Sequence, residues 1–103
     1  MIIYNVTLVV EDDIRDEWLK WMQEIHIPEV MATGKFSGYR LLSILDSPNE
    51  GQSYCAQYYT SSVEQYNAYV EEDAARLQGA LAEKFGHQYV AFRTLMEVLD
   101  EQN

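Results

Sequence analysis

Cysteine, histidine and positive charge are all scarce in this chain, and each shortage removes a class of function. Cys55 is the only cysteine among 103 residues, so no internal disulfide can close and no thiolate metal cluster can form, which fits a reducing cytoplasm. The two histidines, His26 and His87, stand far apart with no HxxxH spacing or carboxylate ladder around either, so no metal site is expected. No cofactor is expected. Seven basic residues face seventeen acids, a formal charge of −10, which makes a phosphate backbone a poor partner. The aromatic pattern of RNA-binding sheets is missing as well, so nucleic acid is excluded. A phosphatase would want a basic, glycine-bearing loop after the first strand, where this chain has Glu11-Asp12-Asp13.

Long apolar runs are also lacking. None approaches the eighteen or so residues of a membrane span, so no membrane partner is expected. The apolar N-terminus, MIIYNVTLVV, has no basic leader or small-residue cleavage site and reads as a strand. Asn5-Val6-Thr7 matches a glycosylation sequon only by coincidence, since it lies inside that strand. Without a linker or composition shift, residues 1–103 form a single domain, large enough to bury roughly 65% of its unfolded surface.

The aromatic content is high, with eight Tyr and two Trp, and such rings often line interfaces or pockets. Residues 2–10 alternate Tyr4, Val6, Leu8, Val10 against Ile3, Asn5, Thr7, Val9, the period of a strand. From Ile14 to Ile25 apolar residues fall at Ile14, Trp18, Trp21, Met22 and Ile25, the spacing of an amphipathic helix, with Asp12 or Asp13 placed to cap it. Pro28 predicts a separate short helix over 28–33, stopped by Gly34. Residues 36–46 and 53–60 read as antiparallel strands around the turn-rich SPNEGQ. A second helix starts at Ser61 or Ser62, buries Val63, Tyr66, Val70, Ala74, Leu77 and Leu81, and ends at Gly86. Residues 87–99 alternate again, and DEQN should fray.

This order is α+β, the ferredoxin-like βαββαβ: a four-stranded antiparallel sheet with two main helices on one face. The other face is bare and carries Ile3, Val9, Leu42, Ile44, Tyr59, Ala91 and Leu95 in the strand phases read here. An apolar surface of that size normally finds a partner, and a second copy is the economical one: a homodimer through the sheet face.

MIIYNVT, then DEWLKWM followed by HIPEVMATGKF, then FGHQYVAFRTLMEV together resemble an uncharacterised bacterial domain-of-unknown-function family across nearly the whole chain. The resemblance implies the dimeric α/β-barrel variant of the fold. More distantly, the Trp-rich first helix followed by His-x-Pro and Gly-x-Phe is similar to cofactor-free monooxygenases and muconolactone isomerases. In those proteins a histidine at this helix end lies at the mouth of a pocket. That carry-over reaches His26 only.

Read from the residues, the bare face also gathers polar groups from all four strands: Asn5, Thr7, Arg40, Cys55, Gln57, Tyr59, Arg93 and Glu97. Such convergence predicts a pocket in which Arg40 and Arg93, with Gln57, Asn5 and Tyr59, hold a small aromatic or carboxylate-bearing molecule while His26 moves a proton. Plainer roles stand beside these. Glu97 and Arg93 could pair within an interface, and a histidine in a last helical turn can simply cap carbonyls. Cys55 has no nearby cation and reads as a small buried side chain, and His87 as exposed. No activated nucleophile is visible, which disfavours hydrolysis. The rival expectation is a non-catalytic dimeric interaction or regulatory module. A cavity of at least ~300 Å³ touching His26 and Arg40 would favour a ligand site, and solid packing the module.

Overall fold

A computed structural model describes residues 1–46 and 51–102, so most of the expected SPNEGQ turn lies outside the described residues. Strand β1 (Ile2–Val10) leads through a short 3-10 turn, Asp12–Ile14, into a helical stretch: α1 (Arg15–Trp21), a π turn (Met22–His26) and α2 (Ile27–Ala32). Strands β2 (Gly38–Ile44) and β3 (Gln52–Thr60) follow, then α3 (Val63–Tyr69), a second π turn (Val70–Ala74), α4 (Ala75–Phe85) and β4 (Tyr89–Glu97). The sheet order is β2-β3-β1-β4, and every neighbouring pair is antiparallel. This is the ferredoxin-like α+β arrangement expected from the sequence.

Local chemistry explains most boundaries. The Ser62 hydroxyl accepts from the Gln65 backbone N–H at 3.2 Å, capping α3 as its position predicts. Gly34, at φ 76°, ends α2 in the left-handed conformation that only glycine adopts without strain. The predicted cap at Asp12 or Asp13 is not made. Both aspartates sit inside the 3-10 turn, and neither that turn nor α1 receives a side-chain capping bond.

The core lies between the helical layer and one sheet face. Tyr4 and Leu8 of β1 and Tyr54, Ala56 and Tyr58 of β3 meet Trp18, Met22, Val30, Tyr69, Leu77 and Leu81. Trp18 is fully buried and stands 4.9 Å, centroid to centroid, from the Tyr54 ring. Tyr4 is the hub of an aromatic group, with Phe36, Tyr58, Tyr66 and Tyr69 at 5.2 to 6.1 Å. Pairs of this kind are worth about 0.5–1.5 kcal/mol beyond the area they bury.

The two π turns correct the buried stripes read from 3.6-residue spacing. Both helical stretches run on without interruption, so α2 is not the separate helix predicted at Pro28. Each π turn inserts an extra residue and rotates the downstream turns of the helix relative to the upstream ones. In the first stretch Ile25 turns outward and His26 inward; in the second Tyr69 is buried and Val70 exposed.

Candidate functional site

Within the helix-covered side of the sheet lies a small void of about 20 Å³. A water needs roughly 10–15 Å³ on this measure, so there is space for one or two. Tyr4 of β1, Tyr58 of β3 and Arg93 of β4 form its floor, while His26 of the first π turn, Tyr69 of α3 and Gln78 of α4 close it from above. The first π turn borders it through Met22 and His26, and aims His26 inward.

His26 is buried at 8% exposure, and its ring stacks on Trp21 at 5.1 Å between centroids, 26° from parallel. Its Nδ1 is shielded from solvent and has no hydrogen-bond partner. Burial, and secondarily the Arg93 cation, push its pKa down to about 4. The ring is therefore neutral near pH 7, with one nitrogen able to donate and the other to accept. Burial raises the pKa of Tyr4, an effect that Arg93 and Gln78 beside the hydroxyl partly offset. Burial also holds the Tyr58 and Tyr69 phenols protonated. Phenol groups, the Gln78 amide, a neutral imidazole and one guanidinium share the lining with the apolar Val6, Leu8, Met22, Val30, Ala56 and Leu81. Such a lining suits a neutral or anionic polar guest.

The sequence-derived site divides between two faces. Arg93 was expected on the bare face with Arg40; instead it pairs in register with Val6 and shares the helix side with Tyr89, Ala91, Leu95 and Glu97. A two-residue alternation separates a strand's faces without saying which is inward, and β4 is an edge strand mostly exposed on both sides. The bare face of β4 is Val90, Phe92, Thr94 and Met96, which replaces Ala91 and Leu95 in the predicted patch. Phases on β1, β2 and β3 agree with expectation, so Ile3, Val9, Leu42, Ile44 and Tyr59 do lie there.

Three of the predicted ligand-binding residues meet on that bare face, as a ladder. Arg40 Nε donates to Gln57 Oε1 at 2.9 Å, Gln57 Nε2 to Asn5 Oδ1 at 3.1 Å, and Asn5 Nδ2 to Thr7 Oγ1 at 2.9 Å. Thr7 Oγ1 then lies 3.6 Å from Cys55 Sγ. Tyr59 is alongside, its ring over Gly38, where an added Cβ would stand 3.1 Å from Cδ2. His26 lies across the sheet from Arg40, so no cavity joins them. The residues the sequence reading missed are Tyr4, Tyr58, Tyr69 and Gln78. The run of tyrosines on the strand face shared with Leu8 was the available signal for the first two. Among the described residues no cluster of three or more His, Cys, Asp or Glu could hold a metal.

Comparison with known proteins gives this arrangement a family. Residues 1–99 match the family described as Domain of unknown function (DUF4286). The chain belongs to it. No protein of curated function matches the sequence. Among solved structures, an EthD-family protein from Bacillus halodurans superposes with a TM-score of 0.68 at 17% identity, over 96% of this chain and 100% of its own. The heme-degrader MhuD from Mycobacterium tuberculosis, solved with two hemes in its active site, gives 0.64 at 18% identity over 100% of both chains. A dimeric ferredoxin-like protein from an uncultured marine organism gives 0.61 at 9%, over 98% of this chain and 96% of its own. At these identities the likeness shows the ferredoxin-like fold of this DUF4286 domain and nothing finer.

Proposed function

We propose that this DUF4286 domain is a cytoplasmic bacterial homodimer that binds a small aromatic or carboxylate-bearing molecule between its helices and its sheet. The carrying observation is His26: a buried, neutral imidazole with an unpartnered Nδ1 on a void shared with Arg93 and tyrosines. Polar atoms buried without partners are rare, and a guest that hydrogen-bonds to them is one reason to keep them. Arg93 is exposed at the edge strand and can meet a carboxylate at the mouth, while His26 exchanges a proton or a hydrogen bond deeper in. A void of about 20 Å³ requires the helical layer to part for anything larger than water. A porphyrin is far outside that scale, so the hemes of the MhuD structure are not carried over and the reading needs no cofactor.

The same small void favours a second reading, a dimeric module without a ligand. Titration with benzoate and 1-naphthoate, followed by isothermal calorimetry, separates the two. Saturable binding weakened at least tenfold in both His26→Ala and Arg93→Ala supports the ligand site. Equal responses in wild type and both variants, or none, support the module.

Among the described residues no helix is long and apolar enough to cross a membrane. The homodimer rests on the bare face, where Val90, Phe92 and Met96 of β4 are 53%, 58% and 36% exposed beside Ile3, Leu42 and Ile44. A contiguous apolar surface of this kind is rarely left to water. Sedimentation of the wild-type protein at micromolar concentration tests it: a two-chain species is expected, and a single-chain species would overturn the homodimer.

A further inference from the structure

Of the seven basic residues, Arg15, Lys35, Arg76 and Lys84 make ion pairs. Arg40 makes none among the described residues, although acids outnumber bases more than two to one. Its Nε is tied to Gln57, and the chain through Asn5 to Thr7 holds that amide in turn. The guanidinium is thus fixed in orientation, and its Nη groups make no ion pair among the described residues. No acid lies on the bare face among the described strand residues, so a second copy packed there face to face brings none to meet it.

Acids do come from the segment after β4. The Val98 backbone N–H donates to the Met1 carbonyl at 2.9 Å, directing the chain across the end of the sheet. Glu101 and Val98 there share a recess of about 230 Å³ with Arg40, Tyr59 and Ile3. In the single chain this segment is unused: Leu99 is 87% exposed, and Glu101 pairs with nothing among the described residues. Leu99 thus has no apolar cover in the single chain, and Glu101 opens onto the Arg40 recess without closing an ion pair there among the described residues.

We infer that the segment Val98–Glu101 clasps a second copy of the chain, the Glu101 carboxylate taking the fork of the second copy's Arg40 and Leu99 covering its apolar rim. The inference rests on the homodimer proposed above. The clasp places the Arg40 cation of the face against the tail's acid, and two-fold symmetry makes the contact twice. The Asn5–Gln57 ladder then acts as positioning structure for the fork.

Charge reversal tests it at low ionic strength, where an exposed pair is least screened. Arg40→Glu and Glu101→Arg should each weaken the dimer by about tenfold, since two pairs turn repulsive. Mixing the two variants should favour the heterodimer well beyond the statistical half, because each mixed contact again joins Arg to Glu across the interface. A purely statistical mixture, expected if the pair closes within one chain, or one depleted in heterodimer, would overturn the clasp. A wild-type protein that stays single-chained would remove the homodimer itself, a result distinguishable from dimeric variants that mix at random.

Discussion

The two faces of the sheet carry the same strands and opposite designs. On the helix side, β1 and β3 present Tyr4, Leu8, Tyr54 and Tyr58 to a layer that excludes solvent and leaves buried His26 a small void. On the other side, β1 and β3 present Asn5, Thr7, Cys55 and Gln57, knitted to Arg40 within a frame of apolar side chains. One face has apolar packing around an unsatisfied polar site. The other has satisfied polar groups and unsatisfied apolar area. The first arrangement answers to a small guest, the second to another protein surface.

Deleting one large ring from each face tests this contrast most severely. Trp18→Ala removes a fully buried ring from the covered side and should cost about 3–5 kcal/mol in urea unfolding. Phe92→Ala removes a ring that is 58% exposed in the single chain, so its cost should stay under about 1 kcal/mol at nanomolar concentration. It should rise with concentration as a second copy covers the face. A Phe92→Ala cost that is small at every concentration would mean that nothing packs on the bare side.

Acidification probes the covered face through His26. The folded pKa of His26, about 4, lies below the 6.5 of an unfolded histidine, so the unfolded chain takes up a proton first as pH falls. Its contribution to stability is complete above pH 6.5 and declines between 6.5 and 4. The loss is up to about 3 kcal/mol at 1.36 kcal/mol per pKa unit. Unfolding measured across that window should show the slope in wild type and lose most of it in His26→Gln. An unchanged slope in the variant would assign the acid sensitivity to other groups.

How far these faces were legible in the sequence depended on the element. Period-two alternation put the residues it named on β1, β2 and β3 on the correct side, because each strand pairs on both edges or carries a clear apolar row. It failed on β4, where both rows carry apolar residues and are mostly exposed, and so Arg93 was placed on the bare face with Arg40 and not on the helix side where it lies. The ladder was visible as converging polar residues, although its hydrogen-bond order was not. The π turns were invisible to a 3.6-residue template: Ile25 matched the stripe that Trp18 and Met22 began, yet it is 45% exposed while its neighbour is buried. Those two features, a phase on an edge strand and an extra residue in a helix, are why the expected grouping of His26, Arg93 and Arg40 is divided between the two faces.

The first π turn also gives a finer test of why His26 points inward. The Ile27 backbone N–H reaches back to the Met22 carbonyl, five residues earlier, and the next residue is Pro28, which has no N–H to give. In an unbroken α-helix the proline ring would crowd the Glu24 carbonyl, and widening the turn relieves that contact. Pro28→Ala restores the N–H and removes the crowding, so an α-helical path with Ile25 inward becomes accessible. The expected result is a stability change within about 1 kcal/mol, since a buried imidazole is exchanged for an aliphatic side chain, together with a His26 pKa that climbs from about 4 toward 6.5 by NMR titration. The second π turn, Val70–Ala74, forms without any proline. If the His26 pKa stays low in Pro28→Ala, packing of Trp21 on the imidazole holds the turn, and the void beneath it belongs to the tertiary fold and not to the local backbone.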